Sequence, residues 1–100
     1  MPILRITDEA NPETFTFEIK NEGKVTIGSD CTGSEEVDVQ FWDGANFVTV
    51  FKNGNAYTLN ADNRIELLDG PMIYRCVKPA NVSLIVYVGS ETSLKIRDDL

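Results

Sequence analysis

The side chains that could carry chemistry in this chain are two cysteines and sixteen carboxylates, and the sequence has no histidine. Without histidine, neither a Ser-His-Asp nor a Cys-His nucleophile can form, and most zinc sites lose a usual ligand. Arg75 precedes Cys76, but adjacent side chains of a strand point to opposite faces, so this arginine is badly placed to activate the thiol. Cys31 and Cys76 could form one bridge; we expect free thiols instead, with Cys76 as a small core residue.

The carboxylates fall in turns and at strand ends, where solvent keeps their pKa values ordinary, so they do not indicate a general acid and base. Residues 29–36 (SDCTGSEE) are small and acidic, but their spacing lacks the ligand pattern of a calcium loop. No glycine motif for binding phosphate is present. The sequence therefore predicts a protein that is not an enzyme and has no metal or cofactor.

The charge lies mainly in one half of the chain. Residues 1–43 hold ten acidic and three basic residues, whereas residues 44–100 hold six of each, which together give the net charge of −7. An acidic protein repels phosphate backbones, so we expect no nucleic-acid binding. The charge could simply maintain solubility, or it could favour docking onto a basic partner.

Short alternating segments separated by turn residues run through the whole chain. Strands are predicted around 4–6, 15–19, 24–28, 37–59, 64–68, 72–78, 82–88 and 92–97, with the turn at 21–23 expected to close a hairpin. This pattern predicts one all-β domain over 1–100, an antiparallel sandwich, jelly roll or small barrel of nine or ten strands. The loop 29–36 is expected to be exposed and the acidic end, 98–100, to fray.

The clearest signal is residues 37–59, which read as a three-stranded meander with turns at Asp43-Gly44 and Asn53-Gly54. A two-residue loop at Asn53-Gly54 would set Lys52 opposite Asn55, Val50 opposite Tyr57 and Val48 opposite Leu59. One face of this meander is apolar and should belong to the core. It consists of Val37, Val39, Phe41, Val48, Val50, Tyr57 and Leu59.

The opposite face of the meander carries three large aromatic residues among polar ones: Trp42, Phe47 and Phe51. Another part of the same chain could cover them, since large aromatics usually serve the core. Alternatively they form a contact patch for another subunit, because aromatics concentrate at interface cores. Both interpretations stay open, and the three residues are our candidate interface.

A turn and strand at 69–79 (DGPMIYRCVKP) follows Phe41-Trp42-Asp43-Gly44 and Tyr57-Thr58-Leu59 in the chain. With these motifs, residues 37–88 resemble small all-β virion proteins of tailed bacteriophages, among them the decoration or cement proteins of capsids. The resemblance implies a non-enzymatic structural protein that forms a small homo-oligomer and binds the major capsid protein or another virion protein. It would bridge capsid subunits on the virion surface after assembly in the host cytoplasm.

Head-tail or tail attachment is a variant within the virion class. Two other classes remain as alternatives. One is a carbohydrate-binding module, since β-sandwiches display aromatic platforms that stack on sugars, and the other is a bacterial cytoplasmic interaction domain. Residues 1–10 lack the basic and apolar regions of a signal peptide, and no apolar run is long enough to span a membrane, so we expect neither secretion nor membrane insertion.

Overall fold

The structure, a computed structural model, describes residues 3–6, 10–52 and 54–100. Within these ranges the chain forms strands and no helix, which confirms the predicted all-β class. Asn53 and the side chains of Leu4 and Ile6, which the sequence analysis interpreted, lie outside the described parts. The strands are β1 (Ile3–Ile6), β2 (Glu13–Ile19), β3 (Lys24–Ser29), β4 (Val37–Trp42), β5 (Phe47–Thr49), β6 (Phe51–Lys52), β7 (Asn55–Ala56), β8 (Thr58–Leu59), β9 (Ile65–Asp69), β10 (Met72–Lys78), β11 (Leu84–Val88) and β12 (Leu94–Ile96).

The strands form two antiparallel sheets in a sandwich-like arrangement. The four-stranded sheet has the order β1-β11-β3-β9. The six-stranded sheet has the order β12-β2-β10-β4-β5, and β8 also pairs with β4. Strand β10, whose charged residues are Arg75 and the buried Lys78, lies between β2 and β4.

One apolar core is built from alternate residues of both sheets, which is the pattern expected when each sheet buries one face. Phe15 stacks on Phe17 with ring centroids 5.5 Å apart, and Tyr74 lies 5.9 Å from Phe17. Cys76 is fully buried, as predicted, and so is Cys31; both are free thiols. Cys31 thereby anchors the middle of the loop predicted to be exposed, whose residues 32–34 do face solvent.

The hairpin predicted at 21–23 is wrong. Strand β2 pairs with β10 and β12 in one sheet, whereas β3 pairs with β9 and β11 in the other. The turn is therefore a corner between the sheets. Gly23 packs so closely on Thr92 that an added Cβ would lie 2.5 Å from its hydroxyl oxygen, and this Thr92 oxygen accepts a hydrogen bond from the Lys24 N–H at 3.0 Å.

The prediction of a three-stranded meander is confirmed only in part. Strand β5 pairs with β4, and Lys52 lies opposite Asn55 as the two-residue loop predicts. The prediction that Val48 opposes Leu59 is wrong, because Leu59 pairs with Val37 of β4 instead. The chain leaves the sheet after Val50, whose N–H still donates to the Val39 carbonyl, and forms the small β6-β7 hairpin before β8 returns to β4. The described residues of this segment, 51, 52 and 54–56, thus form an arm outside both larger sheets.

Candidate protein interface

The outer face of the four-stranded sheet is apolar. Val25 and Ile27 of β3 point into the core, so alternation turns Thr26 and Gly28 outward, and the paired residues of β9 and β11 follow them. We call this surface the apolar sheet face. Its members are Ile3, Thr26, Gly28, Ile65, Leu67, Ile85 and Tyr87.

This face is uncovered within the described residues. Ile65 is 68% exposed, Ile3 51% and Leu67 44%. The inner face of the same sheet already packs on the six-stranded sheet, so the described residues supply no second layer for its outer side. Large apolar side chains gathered on one open sheet face are typical of a contact surface.

A groove of about 350 Å³ crosses the apolar sheet face. It exists because Gly28 has no side chain: a Cβ built there would meet only the Arg64 carbonyl oxygen, at 3.9 Å. Apolar side chains form most of its wall, and hydroxyls and one carboxylate lie at one end. The lining residues are Thr26, Gly28, Ser29, Asp30, Ile65, Ser83, Ile85 and Tyr87.

The two ends of the face differ in charge. At one end Lys24 and Asp69, neighbours in the β3-β9 register, form an exposed ion pair. At the other end lies Asp30, whose Oδ1 accepts the Ser83 N–H at 2.7 Å. Between these ends the outward residues of β3, β9 and β11 are uncharged.

Two tyrosines of the other sheet protect the free edge of β9. The Tyr57 hydroxyl donates to the Leu67 carbonyl and the Tyr74 hydroxyl donates to the Asp69 carbonyl, each at 2.6 Å. Burial, aided by Glu66, raises the pKa of Tyr57 to about 12, and burial also raises the pKa of Tyr74. Both phenols therefore remain protonated donors, and two carbonyls that could pair with a foreign strand are occupied.

The outer face of the six-stranded sheet carries a second feature, the aromatic–arginine cluster. Trp42 and Phe47 are cross-strand neighbours with ring centroids 5.0 Å apart. The Arg75 guanidinium lies 4.0 Å above the Phe47 ring and donates through Nε to Gln40 Oε1 at 2.8 Å. Gln40 in turn donates to Asp38 at 2.8 Å. The cluster comprises Asp38, Gln40, Trp42, Phe47 and Arg75.

The three aromatics of the candidate interface are therefore not one patch. Trp42 and Phe47 are half-buried and in contact, whereas Phe51 lies on the arm and is 64% exposed. Phe51 lines a groove with Tyr57 and Leu67, which places it beside the apolar sheet face. None of the three is buried in the core.

The cluster has a consequence for sugar binding, which needs open ring faces. Arg75 already occupies one face of Phe47, and Trp42 meets Phe47 at an interplanar angle of 58°, so the two rings do not form a flat platform. Phe51 lines a different groove, with Tyr57 and Leu67, and therefore does not extend a platform formed by Trp42 and Phe47.

Several of the described acidic and thiol groups have pKa shifts with structural causes. Backbone N–H groups lower the pKa values of Glu35, through Thr32, and of Asp43, through Asn46 and Ala45, so both carboxylates act as turn caps. Burial raises the pKa of Cys76 to about 12, which disfavours the nucleophilic thiolate. The described residues contain no cluster of three or more His, Cys, Asp or Glu able to hold a metal ion. They also contain no helix of the length and apolarity needed to cross a membrane.

The sequence analysis missed the apolar sheet face. The signal was present in β9 and β11, where Ile65, Leu67, Ile85 and Tyr87 occupy the positions that alternate with buried residues. Outward positions of a solvated sheet usually carry polar residues, so apolar ones on two strands indicate a covered face. That these strands share a sheet, with β3 between them, could not be read from local patterns.

Comparison with protein-family models, with curated proteins and with solved structures finds no match to this chain.

Proposed function

We propose that this chain is a non-enzymatic structural protein that works by binding other protein subunits, as a decoration protein on a bacteriophage capsid. The observation that carries the proposal is the open apolar sheet face, since a surface of this kind needs a protein partner to cover it. The virion setting comes from the resemblance of residues 37–88 to phage virion proteins.

The energetic argument is simple. Burying a fully exposed Ile or Leu side chain contributes about 1.5–3 kcal/mol, and Ile3, Ile65 and Leu67 each still expose about half of theirs or more. Covering them would contribute a few kcal/mol, roughly, before the cost of association. One such contact is weak, but many identical contacts on a capsid lattice act together through avidity.

The scaffold suits this role. Two sheets joined through one core form a rigid body, and the tyrosines on the β9 edge disfavour uncontrolled strand addition. The acidic half of the chain supplies exposed carboxylates that favour a basic partner surface. Head-tail attachment would use the same properties and is a variant of this proposal.

The test uses particles purified by density gradient from the phage that carries the gene. An antibody against the chain should label them, and recombinant chain should cosediment with particles that lack it. The variant Ile65→Lys should cosediment at least several-fold less, because it places a charge in the apolar sheet face. Ile96→Lys, the same change on a half-exposed residue of the other sheet, is the control. Particles without the chain, and no cosedimentation, would refute the proposal.

A further inference from the structure

We propose that the apolar sheet face is the contact between two copies of this chain, related by a twofold axis that crosses β3 at the level of Ile27. This inference rests on the proposed assembly function and assigns the apolar sheet face to a second copy, so that the particle is bound by the outer surfaces of the dimer, two copies at a time. The aromatic–arginine cluster would then remain free on the outside of the dimer.

The charge pattern selects a second copy in this orientation. A chain with net charge −7 repels its own copies over most of its surface, but the middle of the apolar sheet face is uncharged. Lys24 and Asp30 lie at opposite ends of it, six residues or roughly 20 Å apart along the strand direction. A twofold axis that lies in the plane of the contact and perpendicular to β3 brings the Lys24–Asp69 ion pair of each copy to Asp30 of the other, so that the Lys24 ammonium lies between two carboxylates. An axis parallel to β3 would instead place Asp30 of one copy opposite Asp30 of the other, so this arrangement is disfavoured.

The shape of the face fits the same axis. Ile27 pairs with Glu66 of β9 and Val86 of β11, so the axis passes the centre of all three strands. Ile65 of one copy then lies over Leu67 of the other, and Ile85 lies over Tyr87. Thr26 lies over Gly28, where the groove has room for it. Each large residue of β9 and β11 thus meets an apolar partner, and the one gap receives a small side chain.

The size of the face sets the expected strength. Four strands about 4.8 Å apart and about 20 Å long give roughly 300–400 Å² of sheet per copy. A standard interface buries about 800 Å² per partner, so this dimer should be weak and reversible. We expect a dissociation constant of about micromolar order, which suits a protein whose contacts are multiplied on a lattice.

The first experiment is sedimentation equilibrium of the full chain from about 1 to 500 µM. The wild type should pass from monomer to dimer over this range. Ile65→Lys should weaken the dimer by about tenfold or more, because it places a charge against the apolar side chains of the other copy, whereas Ile96→Lys should not. A wild type that stays monomeric throughout, or a control that dissociates the dimer equally, would overturn the proposal.

The second experiment tests the axis by exchanging charges. Lys24→Glu and Asp30→Lys should each weaken the homodimer. Mixed together they should form a heterodimer, since the new glutamate at position 24 faces the new lysine at position 30, and native Asp30 of the first variant faces native Lys24 of the second. Circular dichroism checks that both variants fold. If Asp30→Lys does not, because Asp30 also accepts the Ser83 N–H, Asp30→Asn keeps that acceptor and should still weaken the dimer. Charge variants that dimerise as tightly as the wild type would overturn the twofold arrangement.

The two proposals can fail separately. A chain that is monomeric but cosediments with particles would refute the dimer and leave the decoration role in place. A chain that dimerises through Ile65 but is absent from particles would refute the decoration role alone.

Discussion

The Tyr57 hydroxyl gives the sharpest test of how the two sheets are joined. It comes from the six-stranded side of the molecule and donates to the Leu67 carbonyl of β9 at 2.6 Å. Tyr57→Phe keeps the ring in the core and removes the hydroxyl, and with it this hydrogen bond and the contact with Glu66. At pH 8 we expect the variant to lose about 1 kcal/mol of unfolding free energy, the usual net value of one hydrogen bond.

The effect should depend on pH in a direction fixed by the pKa of Tyr57. Its pKa is about 12 in the folded protein and about 10 in the unfolded chain, so the phenol stabilises the fold below pH 10 and loses that contribution as the pH rises toward 12. Between these values the wild type loses about 1.4 kcal/mol per pH unit from this group, whereas Tyr57→Phe does not. The two proteins should therefore have about equal stability near pH 11.

The measurement is urea unfolding followed by tryptophan fluorescence at pH 8, 10, 10.5 and 11. Tyr87→Phe, on the apolar sheet face, is the matched control, and its difference from the wild type should not converge in the same way. A difference between Tyr57→Phe and the wild type that is constant over this range would show that the hydroxyl is not held against β9.

Other predictions concern two glycines, a core leucine and the two cysteines. Gly70→Ala should destabilise the fold by more than about 2 kcal/mol in thermal or urea unfolding, because the added Cβ would lie 2.2 Å from Ile19 Cγ2. Gly28→Ala should cost about 1 kcal/mol or less in the same measurement, since its Cβ would meet nothing closer than 3.9 Å. Leu59→Ala should cost about 2–5 kcal/mol if β8 packs on β4 as described, and a cost under 1 kcal/mol would contradict that packing. Cys31 and Cys76 are buried, so a thiol reagent at pH 8 should label neither until the protein is unfolded; rapid labelling of the folded chain would be inconsistent with the core.

The local parts of the fold could be predicted from sequence because they depend on neighbouring residues. Alternation located nearly every strand, and the Asn53-Gly54 dipeptide gave the pairing of Lys52 with Asn55. Sheet membership could not be predicted in this way. The turn at 21–23 looks like a hairpin loop, but β2 and β3 separate because each finds better partners far along the chain.

The same distinction applies to the candidate interface. Trp42 and Phe47 are close because one hairpin pairs them, and this follows from the sequence. Phe51 has the right parity to join them, but the chain leaves the sheet just before it, so alternation no longer relates the three residues. The apolar sheet face depends on β9, β3 and β11 lying side by side, which only the tertiary structure shows.

The arm offers a practical handle on the molecule. Strands β5 and β8 both pair with β4 on either side of it, so the ladder is complete without the arm's tip. A peptide epitope or a fluorophore attached next to Gly54 would therefore hang outside the sandwich. If the chain decorates a capsid as proposed, many copies so modified would display a foreign ligand in a regular array.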